Sequence, residues 1–170
     1  MERETEEITV TVNGEQYERE VEPRRLLSDF IRHNLGLTGT HVGCEHGVCG
    51  MCTILMDGET VRSCLTFAVQ ADGAEIETIE NLGSVDDLHP IQEAFTEEHG
   101  LQCGFCTPGM VLTAKELLAE NPDADREEIK ERMSSNFCRC TGYETIIDSV
   151  ESASEKLQGE EIEVMGGDDA

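Results

Sequence analysis

The chain has 170 residues, with 37 acidic against 12 basic side chains, a formal charge of −25, 4% aromatics and no tryptophan. That length suits one ordinary domain or two small ones, and cores this short of aromatic filler call for a staple such as a metal cluster. The absence of a basic patch argues against nucleic acid and anionic membrane, and no apolar run nears the length of a membrane span.

In chain order, residues 8–12 alternate β-branched positions, Asn13-Gly14 is a two-residue hairpin turn, and Gln16–Val21 returns. Pro23 opens a helical stretch that puts Leu26, Leu27, Phe30, Ile31 and Leu35 on one face, and Gly36 ends it. After a cysteine-rich loop come Thr53–Met56, the turn Asp57-Gly58, Glu59–Ser63 and a last strand over 74–79. These predict a small mixed sheet gripping a helix. A polar connector at Asn81–Asp87 marks a domain boundary. Beyond it the period is helical. Pro90 starts Ile91–His99, Thr107 serves as N-cap with Pro108 at N1 before Met110–Ala119, Asp125 caps Arg126–Ser134, and Tyr143–Leu157 makes a fourth helix.

The eight cysteines fall into two quartets. Cys44, Cys49 and Cys52 stand at C-x4-C-x2-C, with Cys64 returned by the second hairpin. This is the plant-type ferredoxin spacing, at which four thiolates hold a [2Fe–2S] cluster. Gly47 and Gly50 let the backbone wrap closely, so that N–H groups can point at sulfur. In the second quartet, Cys103-x2-Cys106 precedes the second helix of its domain and Cys138-x-Cys140 precedes the fourth. Two helix N-termini facing one point offer free N–H groups and a positive dipole end to an anionic cluster. The predicted fold is therefore α+β: a β-grasp ferredoxin-type domain over 8–80, a four-helix [2Fe–2S]-binding domain over 87–157, and acidic, disordered ends at 1–7 and 159–170.

Other uses of the cysteines are weaker. The Met1-Glu-Arg-Glu-Thr-Glu-Glu start lacks the basic and apolar regions of a signal peptide, which predicts a cytoplasmic protein. In that compartment closely spaced cysteines are more often ligands than disulfides. Structural zinc is the stronger rival for the second quartet, although Cys138-x-Cys140 is tighter than the usual zinc knuckle. A Rieske centre needs two histidines, and Cys44-Glu45-His46 offers one suitable pair. The remaining histidines are scattered, and no catalytic triad, phosphate loop or dinucleotide fingerprint stands out. The activity this leaves is electron transfer, without a substrate site in the chain itself.

Three ordered runs make a specific match: Gly43 to Cys52, Gln102 to Met110 and Asn136 to Tyr143. Together they resemble the small iron–sulfur subunit of the molybdenum hydroxylases, the family of xanthine oxidase and aerobic carbon monoxide dehydrogenase. The resemblance implies that Cys44, Cys49, Cys52 and Cys64 hold an outer cluster near a flavin. Cys103, Cys106, Cys138 and Cys140 would hold an inner cluster near the molybdenum cofactor. It implies further that Gln102 and Cys140 face the pterin. Molybdopterin and FAD would belong to a large and a medium partner subunit, in a heterotrimer or a dimer of heterotrimers. Met51 departs from the family pattern of Ala or Ser, and its longer side chain is expected to shield the outer cluster or lean on a partner. The alternative is a free-standing two-cluster ferredoxin-like carrier that meets its partners transiently.

The acidic coat, interrupted by three lysines (Lys115, Lys130 and Lys156), is that expected of a salt-adapted protein, because salt screens its self-repulsion. The expected outcome is a thermal midpoint that climbs from dilute buffer to molar potassium chloride. A salt-independent midpoint would remove the adaptation.

Overall fold

The structure, a computed structural model, describes residues 4–165, with side chains described through Gly159. Strands β1 (Glu6–Val12) and β2 (Glu15–Val21) pair antiparallel. At their turn, Asn13 and Gly14 both have positive φ, 54° and 79°, which the tight two-residue connection requires. Strands β3 (Thr53–Met56) and β4 (Glu59–Arg62) form the second hairpin across Asp57-Gly58, and β5 (Glu75–Glu77) completes the sheet. The order is β2-β1-β5-β3-β4, with β1 and β5 parallel and the other neighbours antiparallel. This is the mixed, helix-gripping sheet expected from the sequence.

The gripped helix is shorter than its hydrophobic period suggests. Pro23 lies in a turn closed by the Arg25 N–H on the Glu22 carbonyl at 2.8 Å, and Leu26 bridges to Phe67. Helix α1 covers Leu27–Asp29 and opens into a π turn over Phe30–Asn34, where the Leu35 N–H reaches the Phe30 carbonyl at 3.1 Å. The docking surface sets this geometry. Leu27, Phe30 and Ile31 are fully buried against Ile8, Val10, Val12, Val21, Ile54 and Ile76, while Leu35 packs at the margin. Each such side chain contributes about 1.5–3 kcal/mol on leaving water.

The second half forms its own core around α2 (Pro90–Glu97), α3 (Thr107–Glu120), α4 (Arg126–Met133) and α5 (Glu144–Met165). Asp125 caps α4 by accepting from the Glu128 N–H at 3.0 Å. Three expectations are corrected here. Thr107 is the first residue of α3, and Cys106 occupies the N-cap. The backbone of Cys106 is already helical (φ −86°, ψ −15°), which draws Thr107 into the first turn, where its buried hydroxyl caps no N–H. Helix α5 also continues past Leu157 to Met165, through a run rich in strong helix formers, where a disordered tail was expected from 159. Strand β1 likewise takes in residues 6 and 7. The expectations for residues 1–3 and 166–170 lie outside the described residues.

Helix α3 joins the two halves, packing on β3 and β4 on one side and on α4 on the other. Its Glu116, 7% exposed, accepts from the Thr60 N–H and, at 2.9 Å, from the Thr60 hydroxyl of β4. The same carboxylate pairs with Arg132 of α4 at 2.8 Å. Arg62 donates to the Ser135 carbonyl at 2.9 Å, and Lys115 pairs with Glu77. Glu116→Ala leaves the Thr60 N–H and hydroxyl without their acceptor and Arg132 with Glu120 alone, so a loss of about 1–3 kcal/mol is expected. Urea unfolding of the cluster-loaded protein checks it.

Candidate metal centres

The outer cysteine loop runs from Gly43 to Cys52 between the π turn and β3. Glu45, Gly47 and Gly50 all have positive φ, which coils the backbone inward around a point rather than along a strand. The hairpin β3–β4 then carries Cys64 into a short helical turn (Ser63–Leu65) beside Cys52. The Ser63 N–H and hydroxyl both donate to the Cys52 carbonyl, at 3.3 and 2.7 Å, and pin the two cysteines together. Thiols 44 and 49 touch, thiols 52 and 64 touch, and Cys44 is near enough to Cys64 to act on it electrostatically.

In the helical domain the Cys140 thiol lies 3.5 Å from Cys103. Cys106 and Cys138 form the second contact, with Cys103 near Cys106 and Cys138 near Cys140. All eight sequence-predicted cysteines are thus gathered, and all are free thiols. Among the described residues no three His, Cys, Asp or Glu side chains gather as a single metal ion would need. The thiols meet in twos instead. Each quartet's four thiols, met as two pairs, would hold a [2Fe–2S] cluster if one is bound there, and that cluster would supply one-electron redox chemistry.

N–H groups converge on the sulfurs as the glycine pattern suggested. Those of His46, Cys49 and Val48 hold the Cys44 thiol down to about 6, against the opposing effect of burial. Burial pushes Cys49 up, helped by its contact with Cys44 and resisted by the Met51 and Gly43 N–H groups. Burial also pushes Cys64 up to about 11, next to Cys52, and Cys106 up to about 12, next to Cys138. Cys138 is half-buried, which would raise it, but the hydroxyl and N–H of Thr141, the Cys140 N–H and the Cys106 thiol outweigh that and lower it. The Thr141 hydroxyl sits 3.2 Å from the Cys138 sulfur. The Cys140 thiol is raised chiefly by its bond to Cys103. Pairs 44/49 and 106/138 therefore each hold one easily ionised thiol against one resistant thiol, as two groups sharing a proton do.

The two quartets meet back to back. The Phe137 N–H donates to the Cys49 carbonyl at 2.8 Å, and the His41 ring stacks on Phe105 with centroids 4.7 Å apart. His41 Nδ1 also bonds the Phe105 carbonyl at 2.8 Å. Met51 is half-buried and packs against the helical-domain core, and a side chain at Gly43 would strike its sulfur. It fills the joint inside the chain rather than a surface. Gln102, Cys103 and Cys140 are exposed. Exposed Phe105 and Phe137 lie on this inner side, and Val48, Leu65 (60% exposed) and Phe67 on the outer.

Sequence reasoning passed over Thr141, Asn136 and Tyr143. The Tyr143 hydroxyl accepts from the Cys138 N–H at 3.0 Å and donates to the Asn136 carbonyl at 3.3 Å. Their signal was position alone, within two or three residues of a ligand-spaced cysteine.

Ligand thiols must ionise to bind metal. In the iron-stripped chain, Cys44 is expected to alkylate first with iodoacetamide at pH 7. Its rate should fall as the pH drops through about 6, while Cys64 and Cys106 stay protonated and slow. Peptide mass mapping of a short labelling pulse checks the order.

Comparison with known proteins agrees with this geometry. Residues 10–79 match the family of 2Fe-2S iron-sulfur cluster binding domains, and residues 78–151 match the [2Fe-2S] binding domain family. The chain is 55% identical over 150 residues to the caffeine dehydrogenase subunit gamma of Pseudomonas sp. (strain CBB1), covering 86% of this chain and 90% of the relative. It is 55% identical over 144 residues to the nicotine 6-hydroxylase small subunit of Paenarthrobacter nicotinovorans, covering 85% and 87%. Among solved structures, quinoline 2-oxidoreductase from Pseudomonas putida 86 superposes with a TM-score of 0.87 at 52% identity, over 91% of this chain and 97% of that one. The aldehyde oxidoreductase from Desulfovibrio gigas does so with a TM-score of 0.86 at 44% identity, over 91% of this chain but 17% of its own. The chain belongs to the small iron–sulfur subunits of the molybdenum hydroxylase family, the two-cluster electron-transfer parts of larger oxidoreductases.

Proposed function

We propose that Cys44, Cys49, Cys52 and Cys64 hold the outer [2Fe–2S] cluster and Cys103, Cys106, Cys138 and Cys140 the inner one. On this reading the units 8–80 and 87–157 each carry one cluster, and the chain passes electrons singly from a molybdopterin-binding large subunit to a FAD-binding medium subunit. Bound clusters supply the one-electron storage. What the chain's own residues do is set spacing, solvent access and charge around them.

The observation that carries the reading is the Phe137 N–H to Cys49 carbonyl bond. It ties the loop of one thiol quartet to the loop of the other at 2.8 Å, so the two centres form one path rather than two independent staples. The inner rim supports the direction. Gln102, Cys103 and Cys140 are exposed among Leu101, Phe105 and Phe137, apolar surface in a chain of charge −25. Such interruptions of a charged coat mark docking faces. We assign this rim to the molybdenum subunit and the rim at Val48, Leu65 and Phe67 to the flavin subunit, in a heterotrimer or its dimer. No helix among the described residues is long and apolar enough to cross a membrane, and we place the assembly in the cytoplasm.

Dithionite reduction of the native protein is expected to give two distinct spin-half EPR signals, with matching iron and acid-labile sulfide. Cys64→Ser should remove one signal and Cys106→Ser the other. Copurification with two larger chains and molybdopterin is expected, and elution of the chain alone would favour the free-standing carrier. A colourless zinc protein would refute both readings.

A further inference from the structure

Between the two quartets stands one side chain that neither cluster ligation nor core packing explains. Asn136 is 1% exposed. Its amide Nδ2 donates to the Thr113 hydroxyl at 2.9 Å, and Thr113 in turn donates to the Gly109 carbonyl at 2.8 Å. Because the Thr113 proton is spent on Gly109, its oxygen can only accept from Asn136. The amide orientation is thereby fixed, with Oδ1 pointing the other way. That Oδ1 is buried with no hydrogen-bond partner among the described residues, a costly arrangement for a neutral polar group.

Oδ1 faces Gly50, the residue between Cys49 and Cys52. A Cβ on Gly50 would come within 1.9 Å of Oδ1 and 2.9 Å of the Asn136 Cα, and Gly50 has φ +76°. On the other flank, a Cβ on Gly109 of α3 would come within 2.5 Å of the Gly50 carbonyl. The outer loop is therefore pressed at Gly50 into a slot made by Gly109 and Asn136. The same carbonyl is held from its own side by the Thr53 N–H at 3.2 Å and by the Thr53 hydroxyl. Asn136 precedes Phe137, whose N–H holds the Cys49 carbonyl, and stands two residues before Cys138.

We propose that Asn136 is a positioning residue for electron transfer. Anchored to α3 through Thr113, it seats the Gly50 turn and keeps the Cys49–Phe137 bond closed, fixing the separation and coupling of the two clusters. The step concerned moves one electron from the reduced centre to the oxidised one, with no bond made or broken and no proton transferred. The buried Oδ1 is then the cost of a close approach that leaves no room for a donor. This inference rests on the ligand assignment proposed above.

The test uses the cluster-loaded protein in its native complex. Iron, sulfide and the two spin-half signals are measured first, then the magnetic splitting between the two reduced clusters, then the inter-cluster transfer rate after pulse reduction. For Asn136→Ala both clusters are expected to remain, with a smaller splitting and a several-fold slower transfer. Thr113→Val keeps side-chain shape but releases the amide; a smaller change in the same direction is expected. Should Asn136→Ala fail to assemble its outer cluster, Thr113→Val decides the matter alone. Both clusters present with unchanged splitting and rate would overturn the positioning role. Absence of two spin-half signals from the wild-type protein would instead overturn the ligand assignment, and the inference with it.

Discussion

The backbone bond from Phe137 to Cys49 constrains much of what surrounds it. It is 2.8 Å long and joins the two cysteine loops without any side chain between them. Beside that bond the Gly50 turn lies so close to α3 and to Asn136 that a Cβ on Gly109 would strike the Gly50 carbonyl and one on Gly50 would strike Asn136, which is why both are glycine. Helix α3 must then serve both halves at once. Cys106 is its N-cap, its first turn presents Gly109, its second Thr113, and farther along Glu116 reaches Thr60 of β4. Mutual movement of the halves would have to break the Cys49 bond, the Glu116–Thr60–Arg132 network and the Arg62–Ser135 bond together.

Within each quartet the protein works against its own burial. Cys64 is almost fully enclosed, and that burial pushes its thiol up, toward the protonated and metal-averse form. The positive-φ turns of the outer loop answer this by turning N–H groups toward sulfur. In the inner domain Thr141 does so with both its hydroxyl and its N–H. The same donors that ease ionisation of the free thiols stabilise negative charge on a bound cluster, which ties ligand chemistry to reduction potential. Solvent is admitted unequally: Cys103 and Cys140 lie at the surface, while Cys49, Cys52, Cys64 and Cys106 do not. An electron-transfer chain needs an open end for each partner and a closed middle, and Met51, turned inward onto the helical core, helps close that middle.

The charge pattern fits the same division. The three lysines named above are all engaged with carboxylates, and Arg126 clasps Glu144, Asp148 and Glu151 across α4 and α5. Exposed pairs of this kind add little stability and weaken further with salt. They leave the acidic excess intact over most of the surface, so the apolar rims beside the cysteines stand out as the places where a charged coat gives way.

Local chemistry was readable from residue types alone. Asn13-Gly14 and Asp57-Gly58 announced their hairpins because those turns demand positive φ, and Asp125 announced its helix because an N-cap oxygen answers unpaired N–H groups. The cysteine intervals announced two quartets because a loop can close on a small inorganic core at few spacings. What could not be read was anything settled by distant contact. The stretch after Pro23 carries a good helical period yet opens into a π turn, since the sheet beneath decides which side chains fit. Thr107 looked like a cap because it is a threonine before a proline, but the helical backbone of Cys106 moves the helix end one residue earlier. Asn136 and Thr113 are unremarkable in the chain and decisive in space, because the joint they serve is made by residues 23 to 88 positions apart. Spacing along a chain determines which atoms can become ligands; only the packed fold determines how far one set lies from the other.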